Sequence, residues 1–288
     1  MNFLIFKKCL ELIKPRIIFG NLIVVAGGFF LASRGNINVF LLFNVLIGTF
    51  LIIASGCVFN NIIDRNIDQK MKRTNNRVLA KKKISIKFAF FYGTFLLLIG
   101  LLYLFFFANI LVLFLNVVGF LIYVVLYSQI AKPNSIYSTI IGGFSGSLPP
   151  IIGYSIIEKK INLCSLILFL IFLFWQVAHF YSISIFRVDE YRLAGVPIFS
   201  VIKGIRKTQY NILMSIIIFI FFSVLLYFIN ITNFFYFLGI IIISGIWLFF
   251  GFMTINYINA FLWSKIMFIF SIFVIFFFSL LISVFYVS

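Results

Sequence analysis

The sequence predicts an all-α fold, a polytopic bundle of about nine membrane-spanning helices with its N-terminus in the cytoplasm. Composition excludes a soluble globular domain: of the 288 residues 64% are hydrophobic and only 10% are charged, and the mean hydropathy is +1.22. Apolar runs long enough to cross the ~30 Å hydrocarbon core, about 20 residues each, recur along the whole chain. The placement of charge between those runs supplies the orientation.

The runs lie at roughly 17–33, 38–61, 87–107, 110–130, 138–157, 163–186, 211–229, 232–254 and 264–286. The third and fourth are separated only near Asn109, and the seventh and eighth only near Asn230 to Asn233, so both pairs read as tight hairpins. The fifth carries Gly142, Gly143, Gly146 and then Pro149-Pro150. Proline removes a backbone donor and glycine allows close approach, so this span is expected to bend, as a pocket wall or as a packing kink. No composition shift marks a boundary, and residues 1–288 read as a single membrane-embedded domain. The first apolar stretch does not read as a cleaved signal peptide: it follows Lys14-Pro15-Arg16, lacks an evident cleavage site and is followed by further spans.

Lys and Arg number 23 against six Asp and Glu, a net charge of +17. A nucleic-acid partner is not indicated, because the charges lie between apolar spans, where the positive-inside rule accounts for them. With the N-terminus inside, Lys7, Lys8, Lys14 and Arg16, the basic run of the second-to-third loop, Lys132, the basic residues of the sixth-to-seventh loop and Lys265 all face the cytoplasm. That makes twenty inside, against Arg34, Lys159 and Lys160 outside. The Phe, Ile, Asn and Lys usage also has the look of an AT-rich genome, so part of the Phe and Lys excess carries no mechanism. Cys9, Cys57 and Cys164 have no metal-ligand spacing and read as reduced thiols.

Four of the six acidic residues fall in two short polar stretches, Asp64 with Asp68 and Asp189 with Glu190, while Glu11 and Glu158 stand alone. Carboxylates clustered beside membrane spans are functional candidates. If the helix of the second span continues past its apolar end, Asn60, Asp64 and Asp68 share one face through i, i+4 spacing. Two carboxylates and an amide oxygen are hard ligands suited to Mg²⁺, which leaves its remaining positions to water and substrate phosphates. Arg65, Lys72, Arg73 and Arg77 follow closely and can neutralise a diphosphate held by the same metal. The alternative is a solvated loop whose acids offset a basic run. Most of the Phe residues face lipid, and none is assigned to a site.

The spacing Asn60-x-x-x-Asp64-x-x-x-Asp68, followed by Arg73-Thr-Asn-Asn-Arg-Val-Leu79, resembles the first signature of the UbiA-type intramembrane prenyltransferases. The likeness runs through almost the whole chain. Its haem-farnesylating branch is matched at Lys14-Pro-Arg-Ile-Ile-Phe-Gly-Asn21, Ser55-Gly-Cys-Val-Phe-Asn-Asn61, Ser145-Gly-Ser-Leu-Pro-Pro-Ile-Ile-Gly-Tyr154, Trp175-Gln-Val-Ala-His179, Ala194-Gly-Val-Pro197 and Lys203-Gly204. In the second acidic stretch, Phe186-Arg-Val-Asp-Glu-Tyr191, Glu190 stands where that branch carries Asp, with Asp189 just before it. The Asp-x-x-x-Asp of other branches is missing, so which of the two carboxylates meets a metal stays open, with the longer Glu190 favoured; the alternative is pairing with Arg187 or Arg192. His179 is the only histidine, and on a regular helix it falls within a narrow arc of Phe186 and Glu190. It reads either as a packing residue or as a haem contact through its imidazole.

The resemblance implies transfer of a farnesyl group from farnesyl diphosphate to a vinyl group of haem B, with water then supplying a hydroxyl. Haem is a substrate in this scheme and Mg²⁺ the cofactor. The expected metal ligands are Asn60, Asp64, Asp68 and Glu190, the three carboxylates serving catalysis. The expected substrate contacts are Arg16, Asn60, Arg65, Lys72, Arg73, Arg77, His179, Arg187 and Lys203. Localisation in a bacterial inner membrane follows from compactness, the lack of an Arg- and Ser-rich leader and the family likeness. The expected surroundings are the lipid bilayer and other haem-pathway or terminal-oxidase proteins. Two rival readings remain. One is a relative that alkylates a quinone precursor. The other is a transporter or assembly subunit, though transporters usually place ionisable residues near the bilayer midplane, and here they cluster at the edge.

Overall fold

In lipid every backbone N–H and C=O must be satisfied within its own segment, so apolar runs of this length become helices. A computed structural model of the protein describes residues 3–287, with side chains from residue 5 onward. Among the described residues nine helices are long and apolar enough to cross a membrane. The chain runs through α1 (Phe3–Ile13), α2 (Pro15–Ser33), α3 (Val39–Lys70) and α4 (Ile86–Phe107). Next come α5 (Ile110–Asn134), α6 (Ser138–Gly146), α7 (Leu148–Glu158) and α8 (Leu163–Phe186). Two short helices, α9 (Val188–Ala194) and α10 (Phe199–Ile202), precede α11 (Ile205–Phe228), α12 (Phe234–Thr254) and α13 (Ala260–Val284).

Helix ends differ from the hydropathy boundaries for one physical reason. Hydropathy marks where the chain is apolar, whereas a helix continues until a cap or a turn stops it. Thus α3 runs on to Lys70 rather than ending at 61, and α11 starts at Ile205 rather than at 211, placing Arg206 and Lys207 on its first turn instead of in a loop. Asparagine starts several of the helices. Asn38, Asn109, Asn233 and Asn259 each accept a hydrogen bond from a backbone N–H of the first turn, and Asn162 forms a reciprocal capping box with Ser165. The fifth span is broken at Ser147 into α6 and α7, with proline in the first turn of α7, where its missing N–H is harmless. Within α5, residues Ile122–Ala131 are π-helical.

Two of the four core clusters hold most of the spans together. In one, Ile171 and Phe172 of α8 meet Phe219 of α11, Trp247 of α12 and Phe278 of α13; in the other, Val25 and Phe29 of α2 meet Val45, Leu104, Val112 and Ile152. The buried indoles are satisfied: Trp247 donates to the Met267 carbonyl at 3.2 Å and Trp263 to that of Gly251 at 3.0 Å. Lipid offers no hydrophobic drive between helices, so close backbone approach matters most. It is tightest between α2 and α7, where Gly28 lies against the Pro150 carbonyl and Gly153 against that of Val25. Outward-facing rings such as Phe91 and Phe106, each 71% exposed, mark the lipid surface. At one end of the bundle the α1–α2 junction, the last turns of α3, the end of α5 and the short α9 come together around the acidic residues.

Candidate active site

The last turns of α3 carry Asn60, Asp64 and Asp68 on one face, and all three side chains are buried. Buried carboxylates persist only when paired and hydrogen-bonded, and each of these has its own cation. Asp64 Oδ2 receives Lys132 Nζ at 2.5 Å and the Asn60 amide at 2.9 Å. One Arg77 nitrogen donates to both Asp68 oxygens, at 2.9 and 2.8 Å. The Asn60 amide also donates to Ser128 Oγ at 2.9 Å, while its oxygen accepts from Lys14 Nζ. The chain after α3 folds back over this end in turns, held by Thr74 Oγ1 donating to the Asp68 carbonyl at 3.2 Å.

Lys14 reaches the site through strained backbone. It sits between α1 and α2 with φ 54° and ψ 66°, a left-handed conformation that a side chain normally avoids. Burial first, and the nearby Arg77 guanidinium second, pull its ammonium down from 10.5 to about 8. A lysine whose folded value lies below its ordinary one opposes folding while charged, so this penalty is relieved as pH rises from about 8 to 10.5.

The second acidic stretch lies on α9 and meets the first through the loop after α3. Glu190 Oε1 accepts from Arg187 at 2.6 Å, and its Oε2 faces the Arg73 backbone N–H at 3.5 Å. Asp189 points outward, its side chain 81% exposed, and pairs only with Arg192. Glu190 is therefore the member turned toward the site. Glu190→Gln is expected to lower turnover by roughly tenfold or more, as loss of a charged group at a transition-state site does, whereas Asp189→Asn should leave it within about twofold. Steady-state rates of the two purified variants check this, and the reverse ranking would reassign the second stretch.

Among the described residues no three Asp, Glu, His or Cys side chains gather closely enough to hold a metal between them. Asp64, Asp68 and Glu190 thus do not close into one carboxylate cluster. A cation nevertheless has a place to bind. Asp64 Oδ1 is buried and accepts no hydrogen bond from any described group, a desolvated anionic oxygen, while Asn60 turns its amide nitrogen to Asp64 and its oxygen to Lys14. That donor chemistry fits a hard divalent ion that takes one or two carboxylates and fills its other positions from phosphate and water.

The remaining expected contacts scatter. Arg73 and Arg77 line a cavity of about 290 Å³ with Glu11, Leu12, Asn61, Asn76 and Val78. Arg65 follows Asp64 directly but faces away from it: its guanidinium donates to the Ile62 carbonyl and lines a separate cavity with Leu79 and Lys82. Arg16, Lys72 and Lys203 are exposed and make no hydrogen bond to the acidic residues. Sequence reasoning missed Lys14, Ser128 and Lys132 as members of the site. It counted the two lysines only as topology signals, although Lys132 is the one basic residue after the fourth span and Lys14 begins a matched segment.

His179 does not continue on one helix to Glu190, as a regular helix would have it. Helix α8 ends at Arg187, where φ −118° and ψ 13° leave the helical region. The link to Phe186 holds, since both rings pack on Phe268, at 4.9 and 5.7 Å. The imidazole stacks on Trp175 at 4.9 Å, and its Nδ1 lies 2.7 Å from Ser271 Oγ. Ser271 spends its only proton on the Phe268 carbonyl at 2.6 Å, so it must accept from an Nδ1–H. Nε2 then carries a free lone pair, the form that can ligate iron.

A bundle of nine spans that ends in an Asn/Asp/Asp face ringed by Lys and Arg is the architecture of an intramembrane prenyl-transferring enzyme. The chain matches the UbiA prenyltransferase family over residues 21–281 and belongs to it. It is 43% identical over 282 residues to the protoheme IX farnesyltransferase of Wigglesworthia glossinidia brevipalpis, covering 97% of this chain and 98% of that one. It is 42% identical over 278 residues to the enzyme of that name from Yersinia pseudotuberculosis, covering 96% and 94%. Two solved structures share the fold. One is a digeranylgeranylglyceryl phosphate synthase, with TM-score 0.79 and 23% identity over 96% of this chain and 98% of that one. The other is a UbiA homologue of Archaeoglobus fulgidus bound to DMAPP and Mg²⁺, with TM-score 0.70 and 16% identity over 96% and 99%. The protein is a multi-pass membrane enzyme of this family.

Proposed function

We propose that the protein farnesylates haem B, converting it to haem O at the Asn60–Asp64–Asp68 face. The observation that carries the reading is likeness above 40% identity, along nearly the full chain, to relatives named for this reaction. The site is read as facing the cytoplasm from a bacterial inner membrane, on the basic-residue count. Haem-pathway or terminal-oxidase proteins would receive the product.

Asp64, through its unpartnered Oδ1, would hold Mg²⁺, with Asn60, Asp68 and Glu190 as the further candidate ligands, and the ion would supply Lewis-acid neutralisation of charge on the departing diphosphate. Lys14, Lys132 and Arg77 already point their charges into this face, and they hold and orient the diphosphate oxygens. The C1–O bond of farnesyl diphosphate breaks and its electron pair leaves with the diphosphate. The vinyl carbon of haem bonds to C1, and the cation left beside the porphyrin takes the oxygen of water and releases a proton. The apolar bundle keeps water from the allylic cation until the carbon–carbon bond has formed. His179 is read as a haem contact through its free Nε2.

The test is a membrane assay with haem B, farnesyl diphosphate and Mg²⁺, with the pigments resolved by chromatography and mass spectrometry. The expected result is a hydroxyethylfarnesyl haem whose formation a chelator abolishes and added Mg²⁺ restores. Prenylation of an added aromatic acid in place of haem would keep the family and overturn the substrate.

A further inference from the structure

On the side of α3 turned away from the acidic face stands a cation that the chain does not neutralise. Arg65 is half-buried, and its guanidinium makes a single hydrogen bond, to the Ile62 carbonyl at 2.7 Å. Charge drawn out of water is stable when it is paired, yet Arg65 meets no carboxylate among the described residues. The chain has none to spare. Of its six Asp and Glu, Asp64, Asp68, Asp189 and Glu190 are held by Lys132, Arg77, Arg192 and Arg187. Glu11 lines the cavity of Arg73 and Arg77, and Glu158 ends α7 at the opposite end of the bundle. A counter-ion for Arg65 has to come from outside the chain. We propose that it is the phosphate of an anionic phospholipid, whose headgroup sits in the cavity between α3 and α4.

That cavity holds about 280 Å³ and is lined by Arg65, Asn66 and Gln69 of α3, by Leu79 and Lys82 of the following loop, and by Ser85. Each polar side chain among them can donate a hydrogen bond and none is anionic, which is the lining a phosphodiester needs. Lys82 is fixed rather than trailing. It sits at φ 52°, in a turn closed by its own N–H to the Leu79 carbonyl at 3.1 Å and by that of Lys83 to the Val78 carbonyl at 2.9 Å. Gln69 ties the same loop to α3 by donating to the Ala80 carbonyl at 3.0 Å. Ser85 Oγ accepts from the Phe88 N–H at 3.1 Å, so its own hydrogen is left for a ligand.

The lower rim separates a lipid from a soluble anion. Ile86, the first residue of α4, also lines the cavity and is exposed. One turn further along α4 comes Phe90, exposed as well, its ring packed edge-on against Phe59 of α3 at 5.7 Å. Phe59 lies about two turns before Asn66 on the same face of α3. The groove between the two helices is therefore polar at the cavity and apolar below it, matching a headgroup with its acyl chain. Basic pockets between spans bind anionic headgroups in this way, whereas free phosphate would leave the apolar half unused. The loop held by the lipid is the one that brings Arg77 to Asp68, so the lipid steadies the acidic face without touching it. The proposal stands independently of which acceptor the enzyme prenylates.

The experiment uses the full chain, stripped of lipid in a neutral detergent and titrated with phosphatidylglycerol or with phosphatidylcholine. Native mass spectrometry reads the bound lipid. Phosphatidylglycerol is expected to bind about tenfold more tightly than phosphatidylcholine, and an excess of inorganic phosphate should not displace it. Arg65→Gln and Lys82→Asn should each weaken its binding about five- to tenfold; asparagine is chosen because it tolerates the left-handed turn. Lys87→Gln removes an exposed charge of the same segment that does not line the cavity, and binding should stay within about twofold of the unsubstituted protein. Should Arg65→Gln fail to fold, the comparison of Lys82→Asn with Lys87→Gln decides. Equal losses at 82 and 87 would show diffuse attraction to a basic loop and overturn the proposal. Equal binding of phosphatidylcholine would overturn it too, and so would displacement by inorganic phosphate, which would make the cavity a site for soluble anions.

Discussion

Asp64→Asn is expected to lower farnesyl transfer by roughly a hundred- to a thousandfold in protein that remains folded, the loss seen when one charge-stabilising group is taken from a transition-state site. Asp64 is the one acidic residue of the face with a buried oxygen that accepts nothing, and so the one with an anionic lone pair left for a cation. Asparagine keeps its shape and can still accept from Lys132 and Asn60, but it removes the charge that draws a divalent ion. The loss should fall on turnover and on the Mg²⁺ concentration needed for half-maximal rate. Asp64→Ala is the wrong comparison, because it strands the Lys132 ammonium without a partner, a change that destabilises by about 3–5 kcal/mol. Rates of Asp64→Asn at several Mg²⁺ concentrations, beside a thermal unfolding curve, check the result. Turnover near that of the unsubstituted protein would remove Asp64 from the chemistry and favour an assembly role.

Gly153→Ala should prevent the folded bundle from accumulating. A Cβ at Gly153 would lie 1.8 Å from the Val25 carbonyl oxygen and 2.9 Å from the Phe29 nitrogen. Both are backbone atoms of a helix and cannot rotate aside, so α2 and α7 would have to part along their contact. Overpacking with a flexible neighbour costs about 1–3 kcal/mol, and rigid backbone on both sides places this substitution at or above that range. Where packing alone joins the helices, nothing compensates for the lost contact. Gly245→Ala is the control, since nothing lies within 4 Å of a Cβ there, and replacing a mid-helix glycine should if anything help by up to about 1 kcal/mol. The yield of monodisperse protein in mild detergent distinguishes the two, and equal yields would show that α2 and α7 can separate without loss of the fold.

The nine spans were legible because each is an apolar run that a bilayer can satisfy only as a helix. The prolines at 149 and 150 likewise marked the broken fifth span. The shared face of Asn60, Asp64 and Asp68 was legible because i, i+4 spacing is local geometry, and α3 does continue through all three. Glu190 was favoured over Asp189 for its length and its matched position; in the fold α9 turns Glu190 inward and Asp189 to solvent. Arg65 was misplaced because proximity in sequence was taken for proximity in space: one residue along a helix rotates the side chain by about 100°.

Local pattern, then, was enough to determine the helical class, the family and the acidic face, because each depends on residues within a few turns of one another. Tertiary structure alone decided which cations close on that face. Lys14, Arg77 and Lys132 arrive from an interhelical turn, a folded-back loop and the end of α5. It also decided that α8 stops at Arg187, parting His179 from Glu190, and that α5 widens into a π-helix whose end brings Ser128 to Asn60 and Lys132 to Asp64. Spacing along a chain fixes angles only while the helix type is known and unbroken, and partners from distant segments are chosen by packing and by the need to neutralise buried charge.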